Sequence, residues 1–436
     1  MHPKSIPLSE EAQPSKVLAL WFPTIMVLAA FGPYIGSMGL KLEHFMVYGV
    51  GACIFMTFPG SIKTVVWGPL KLLMLSWVGL IAIQCLGLAW RYLSGLGEIV
   101  PGRTFASMEH HLQPLILVAC STVMIRRLGV EGQNKALNLA IQLLIWALTI
   151  NSAMILFAMA TGAFGLFGVW LPPGGLEGDS VWRLSIEMGR FGGIFNQPFE
   201  SGIAYSLGVI SWVYNTRLEK LKILDYLKLL LLIFGGIISI SKVFILIGLP
   251  LFLLALYWFR VSRRIIFNWR LFLVAGSAFL AVGYLTSFWS GLDFFLRLFR
   301  PSAGQDLIDL YTANRFGGSE TQVKEYFTWV MNRSPILGIG FSPFQVIDNG
   351  FLSAFAGGGV LGLACFIAFL LLLIRHCFRC VGMLRKLATL FILLMLGATM
   401  GGPAFTINRA GTLFWTMLPW IFLMGNRTKG LGGATE

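Results

Sequence analysis

Charged side chains are scarce in this chain. Asp, Glu, Lys and Arg make up 12% of 436 residues, against about 25% in a soluble domain. Acidic residues are the scarcest, 19 against 33 basic ones, which leaves a net charge of +14. This excess does not read as nucleic-acid binding, because it is spread over short segments between apolar runs. Six cysteines give no disulfide framework, since Cys53, Cys85, Cys120 and Cys365 lie within or beside those runs. Cys377 and Cys380 form a lone C-x-x-C, with no second pair to complete a zinc site. His110 and His111 stand in a predicted loop without further ligands and read as ordinary loop residues. No internal repeat is visible, so an inverted-repeat transporter gains no support. The first 16 residues are polar and include Glu10 and Glu11, so no cleavable signal peptide is expected.

Hydrophobic residues fill 56% of the chain, and several apolar segments reach or approach the ~20 residues that cross a bilayer. The predicted class is an all-α polytopic membrane protein of about twelve spans. They are placed at 17–36, 45–59, 67–90, 112–126, 137–165, 199–215, 226–241, 242–259, 271–289, 351–374, 387–402 and 410–425. Basic clusters (Arg126–Arg127–Lys135, Arg217–Lys220–Lys222, Arg260–Arg263–Arg264–Arg270, Arg375–Arg379–Arg385–Lys386, Arg427–Lys429) all follow even-numbered spans. The positive-inside rule then puts both termini in the cytoplasm. The chain divides into spans 1–5 (1–165), an outer loop (166–198), spans 6–9 (199–289), a large outer loop (290–350), and spans 10–12 with a cytoplasmic tail (351–436). The large loop carries Arg297, Arg300, Arg315, Lys324 and Arg333 on the side where a topology-setting charge is not expected, which suggests an anionic substrate. It also predicts a helix: Ser319 with Gln322 three residues on resembles a capping box, and Val323, Phe327 and Val330 recur at helical spacing before Pro335 ends the pattern.

Four constellations on the outer side could carry chemistry. Arg190-Phe191-Gly192-Gly193-Ile194-Phe195-Asn196-Gln197-Pro198 precedes the sixth span. Its glycines allow a tight turn, Pro198 fits a helix start, and a guanidinium suits bidentate contact with phosphate. The alternative is a turn with a solvated arginine. Ser241-Lys242 sits at the tight turn between spans seven and eight, either as a second cation or as a snorkelling anchor. Thr312 to Gly318, with Arg315, precedes the loop helix, and Pro335, Gly338 and Gly340 follow it. Asp348-Asn349 opens the tenth span, where Asp348 reads either as an N-cap or as a general base.

In this order the four resemble the O-antigen ligase and Wzy-type O-antigen or exopolysaccharide polymerase family. The likeness covers about residues 180–365. Its R-x-x-G-x-F-x-x-P pattern falls on Arg190, Gly193, Phe195 and Pro198, and its P-x-x-G-x-G on Pro335, Gly338 and Gly340. Lys242 stands where arginine is commoner. Glu320 stands where the family often has arginine, with Arg315 five residues upstream. Asp348 replaces the ligases' histidine, which tilts the reading toward polymerase. The resemblance implies a GT-C-like glycosyltransferase, independent of metal and cofactor, at the outer face of a bacterial inner membrane. It would take an undecaprenyl-pyrophosphate-linked oligosaccharide as donor and a glycan as acceptor, and it leaves room for a partner that sets chain length. It casts Arg190, Lys242 and Arg315 as pyrophosphate ligands, Asp348 as base, Asn349 as the residue orienting it, and Glu200 as an alternative carboxylate. A ligase with another acceptor, and a lipid-linked sugar flippase or secondary transporter, are the competing readings.

Overall fold

A computed structural model describes residues 14–35, 40–96, 99–173, 175–176, 180–217, 221–261, 291–297, 322–341 and 349–431. The predicted span at 271–289, together with Arg315, Ser319 and Asp348, lies outside them. The chain is an all-α membrane protein. Among the described residues, four helices are long and apolar enough to cross a bilayer: α4 (Lys71–Leu93), α6 (Val130–Thr161), α13 (Gly350–Arg379) and α14 (Gly382–Thr399). The other elements are α1 (Pro14–Ala30), α2 (Leu42–Thr57), α3 (Ser61–Val66), α5 (Pro101–Ile125), α7 (Val181–Glu187), α8 (Pro198–Thr216), α9 (Ile223–Ile238), α10 (Leu249–Trp258), α11 (Gly291–Arg297), α12 (Gln322–Arg333) and α15 (Asn408–Leu431).

Three departures from the sequence reading have local causes. The first predicted span stops at Ala30, because Gly32-Pro33 breaks the helix. The chain then makes a small antiparallel hairpin, β1 (Tyr34–Ile35) with β2 (Leu40–Lys41), in which Tyr34 faces Lys41. Most of the predicted 91–111 loop is helix: Pro101 starts α5 at its first position, and its polar first turns hide it from a hydropathy reading. His110 and His111 are therefore helical residues. The eighth predicted span opens as a π-helix, Phe244–Gly248, before α10. The loop helix runs Gln322–Arg333, and its buried Val330 packs with Leu352, Phe355 and Ala356 of α13.

Small residues bring the helices close, as is usual where lipid gives helices no hydrophobic reason to associate. Gly79 of α4 faces Cys365 of α13, and Gly208 of α8 faces Leu148 of α6. At one end of the bundle, cations lie on aromatic rings: Arg127 over Phe58 at 4.2 Å, and Arg385 over Phe378 at 5.2 Å. Lys386 also donates there to the Trp258 carbonyl at 2.9 Å. The starts of α2, α8 and α15 meet at the opposite end, where Arg190 also lies.

Candidate functional site

The Arg190 loop is held along its length. The Phe191 N–H donates to the Ile238 carbonyl at 3.0 Å, and Arg190 Nη2 donates to the Ile240 carbonyl at 3.3 Å. Arg190 is thereby seated on the turn that leads into Ser241 and Lys242. Burial lowers the pKa of the Arg190 guanidinium from its ordinary value. Ile240 at that turn has φ 45°, a strained left-handed conformation for a β-branched residue. Lys242 is half-buried. Gly193 adopts φ +67°, as its place in the motif suggested, and Pro198 occupies the first turn of α8. Gly202 of α8 packs against Ser241, which is buried with no partner for its hydroxyl among the described residues.

Glu200, the alternative carboxylate of the sequence reading, anchors the loop. It is buried at 1% exposure, and its carboxylate accepts the Asn196 N–H at 3.2 Å. The Asn196 amide in turn donates to Tyr34 Oη at 2.8 Å. Asn349 caps α13: its Oδ1 accepts the Phe351 and Leu352 N–H groups at 2.9 and 3.0 Å.

The P-x-x-G-x-G motif has a structural task. Gly359, at φ 60° and ψ −156°, interrupts α13, and the segment from Pro335 to Gly340 fills the break. Ile339 and Gly340 N–H groups donate to the Ala356 and Gly357 carbonyls at 2.9 Å each. Val360 donates to Pro335 at 2.8 Å and Leu361 to Ile336 at 3.3 Å. Irregular backbone inside a membrane helix is tolerated only when protein supplies its partners in this way.

A second constellation, at the outer ends of the predicted spans, was not anticipated. Lys41, Glu43, Glu109, Glu200 and Arg409 are all buried. Lys41 Nζ lies 3.9 Å from Glu43, and Thr412 hydrogen-bonds the other Glu43 oxygen. Arg409 donates to the Trp170 carbonyl at 2.9 Å, while its Nε and Nη1 find no hydrogen-bond partner among the described residues. Glu109 receives Tyr48 Oη at 3.2 Å, with His44 and His110 Nε2 at 3.5 and 3.6 Å. The signal available in the sequence was a set of charges immediately beside apolar runs, at positions 41, 43, 109 and 409. Among the described residues, no group of His, Cys, Asp and Glu could hold a metal.

Glu109 stands three residues before the apolar run that begins at Leu112. Burial, helped by Glu43, pushes its carboxyl up to about 7 from 4.5, against the pull of Lys41 and Tyr48. The folded state thus holds this proton more tightly than the unfolded chain. Its stabilising contribution is complete below about pH 4.5 and is lost as pH rises through about 7, at up to about 1.4 kcal/mol per unit. The melting temperature of Glu109→Gln, measured from pH 4 to 8 beside wild type, should lack this fall. Parallel curves would refute it.

No protein-family model matches this chain, and no curated protein matches it either.

Proposed function

We propose that this protein polymerises polyprenyl-pyrophosphate-linked oligosaccharide repeat units at the periplasmic face of a bacterial inner membrane. Twelve spans with both termini cytoplasmic would put the Arg190 end of the bundle in the periplasm. The observation that carries the reading is the meeting of Arg190 with the Ile240–Lys242 turn. Two preorganised cations at the membrane surface suit a diphosphate more than a neutral ligand.

In the reaction, an acceptor sugar hydroxyl attacks the anomeric carbon of the donor. The new bond joins the acceptor oxygen to that carbon, and the bond from the carbon to the pyrophosphate oxygen breaks. Its electrons leave with polyprenyl pyrophosphate, where negative charge accumulates. Arg190, Lys242 and Arg315 stabilise that charge, and Asp348 accepts the hydroxyl proton. Asn349, beside it in sequence, orients Asp348, and Glu200, buried and bonded to the Asn196 N–H, is the alternative carboxylate.

One observation favours a second reading. Buried ionisable side chains can mark ion and proton routes in transporters, and the Lys41–Glu43–Glu109–Glu200–Arg409 cluster, at the outer end of the bundle, has that composition. A reconstituted assay separates the readings. Purified protein with a polyprenyl-pyrophosphate oligosaccharide should give a ladder of lipid-linked oligomers, and Asp348→Asn should bind donor without turnover. Transfer only after a second glycan or lipid acceptor is added would mean a ligase. Movement of intact substrate across liposomes without transfer would mean a flippase or transporter.

A further inference from the structure

Asn151 is a polar residue deep in α6, a helix of 32 residues, and it is 2% exposed. A buried amide must find partners nearby or lose its hydrogen bonds outright. Its Oδ1 accepts the Ile194 N–H at 3.1 Å, and its Nδ2 donates to Tyr205 Oη at 2.9 Å and to the Gly192 carbonyl at 3.4 Å. Two of those three partners are backbone groups of the Arg190 loop. Gly193 lies between them, its carbonyl taken by Trp182 Nε1 at 2.9 Å, and a Cβ there would land on the Asn151 amide. Ser152 Oγ sits 3.0 Å from the same Tyr205 hydroxyl.

The amide is not what holds the bundle together. α6 buries Ala136, Ala140, Leu144, Leu148 and Ile155 completely, so its packing rests on apolar surface. What Asn151 fixes is the course of residues 192–194, and through them the approach of Arg190 to Ile240. We propose that Asn151 is a positioning residue that holds the Arg190 loop in its anion-receiving geometry. The identity of the anion rests on the proposed glycosyl transfer. The positioning does not.

The test uses the full chain in lipid nanodiscs, as wild type, Asn151→Ala, Gly193→Ala, Arg190→Ala and Asn151→Ala/Arg190→Ala. Peptide-resolved hydrogen exchange of residues 190–197 should rise in Asn151→Ala while α6 and α8 stay protected. Affinity for farnesyl pyrophosphate should fall about tenfold, and the double variant should bind no more weakly than Arg190→Ala alone, because contacting residues that act as a unit are non-additive. A general loosening would instead add its loss to that of Arg190→Ala. Unchanged exchange in a folded Asn151→Ala, or an additive loss, overturns the proposal. If wild type does not bind the pyrophosphate yet exchange rises selectively, the substrate reading fails and the positioning stands. Should Asn151→Ala not fold, Gly193→Ala gives the same two readings by pushing on the same amide.

Discussion

Arg190→Ala should abolish glycan transfer while leaving a folded, monodisperse protein. The guanidinium donates to the Ile240 carbonyl, at the edge of the bundle rather than in its apolar centre. The leaving pyrophosphate gathers charge in the transition state, and removing one preorganised donor from such a site costs about 100- to 1,000-fold in rate. The loss should fall on kcat more than on the donor KM, since the interaction strengthens as the bond breaks. Arg190→Lys would keep the charge and lose the forked geometry, and should recover only part of the rate. Near-normal chain length from Arg190→Ala, run beside wild type on a gel, would sink the assignment.

Gly340→Ala should fail for a different reason, in folding. Gly340 has φ +81°, and a Cβ there would stand 2.5 Å from both the Leu88 Cα and the Leu88 N. Those are backbone atoms of α4, so neither neighbour can swing aside. The left-handed conformation costs about 1–2 kcal/mol in a non-glycine residue, and overpacking a close contact commonly adds about 1–3. Together these are a large share of the 5–15 kcal/mol or so that holds a typical domain folded. Gly49→Ala is the control, since a Cβ at Gly49 meets nothing within 4 Å. Detergent extraction with size-exclusion analysis should recover Gly49→Ala normally and little Gly340→Ala; equal recovery would refute the account.

The sequence made the helices legible wherever an apolar run met a clear stop. Pro198 opening α8 and the loop helix ending before Pro335 are examples. It also marked Arg190 and Lys242, because cations at span ends are unusual on the outer side. It could not show that Arg190 reaches the Ile240 carbonyl two residues before Lys242, because that contact depends on how α9 ends. Asn151 was invisible for a related reason: one asparagine in a helix carries no periodic signal, and its partners lie in another segment. Asn349 was read through its neighbour, although an N-cap needs only its own Oδ1 over the first free N–H groups. The glycines after Pro335 were seen as a motif, but nothing in their spacing reveals that they fill a break in another helix.

Glu43 meets Thr412 across 369 residues of chain. At roughly 5–20 residues per second, the ribosome needs on the order of 20 to 70 s to make the second partner after the first. During that interval Glu43 lacks the Thr412 hydroxyl that it holds in the finished fold. The buried charge cluster therefore cannot be completed until α15 has been made. A chain stalled before that point would present uncompensated charge to lipid, a mark by which membrane quality control could distinguish it from the finished protein.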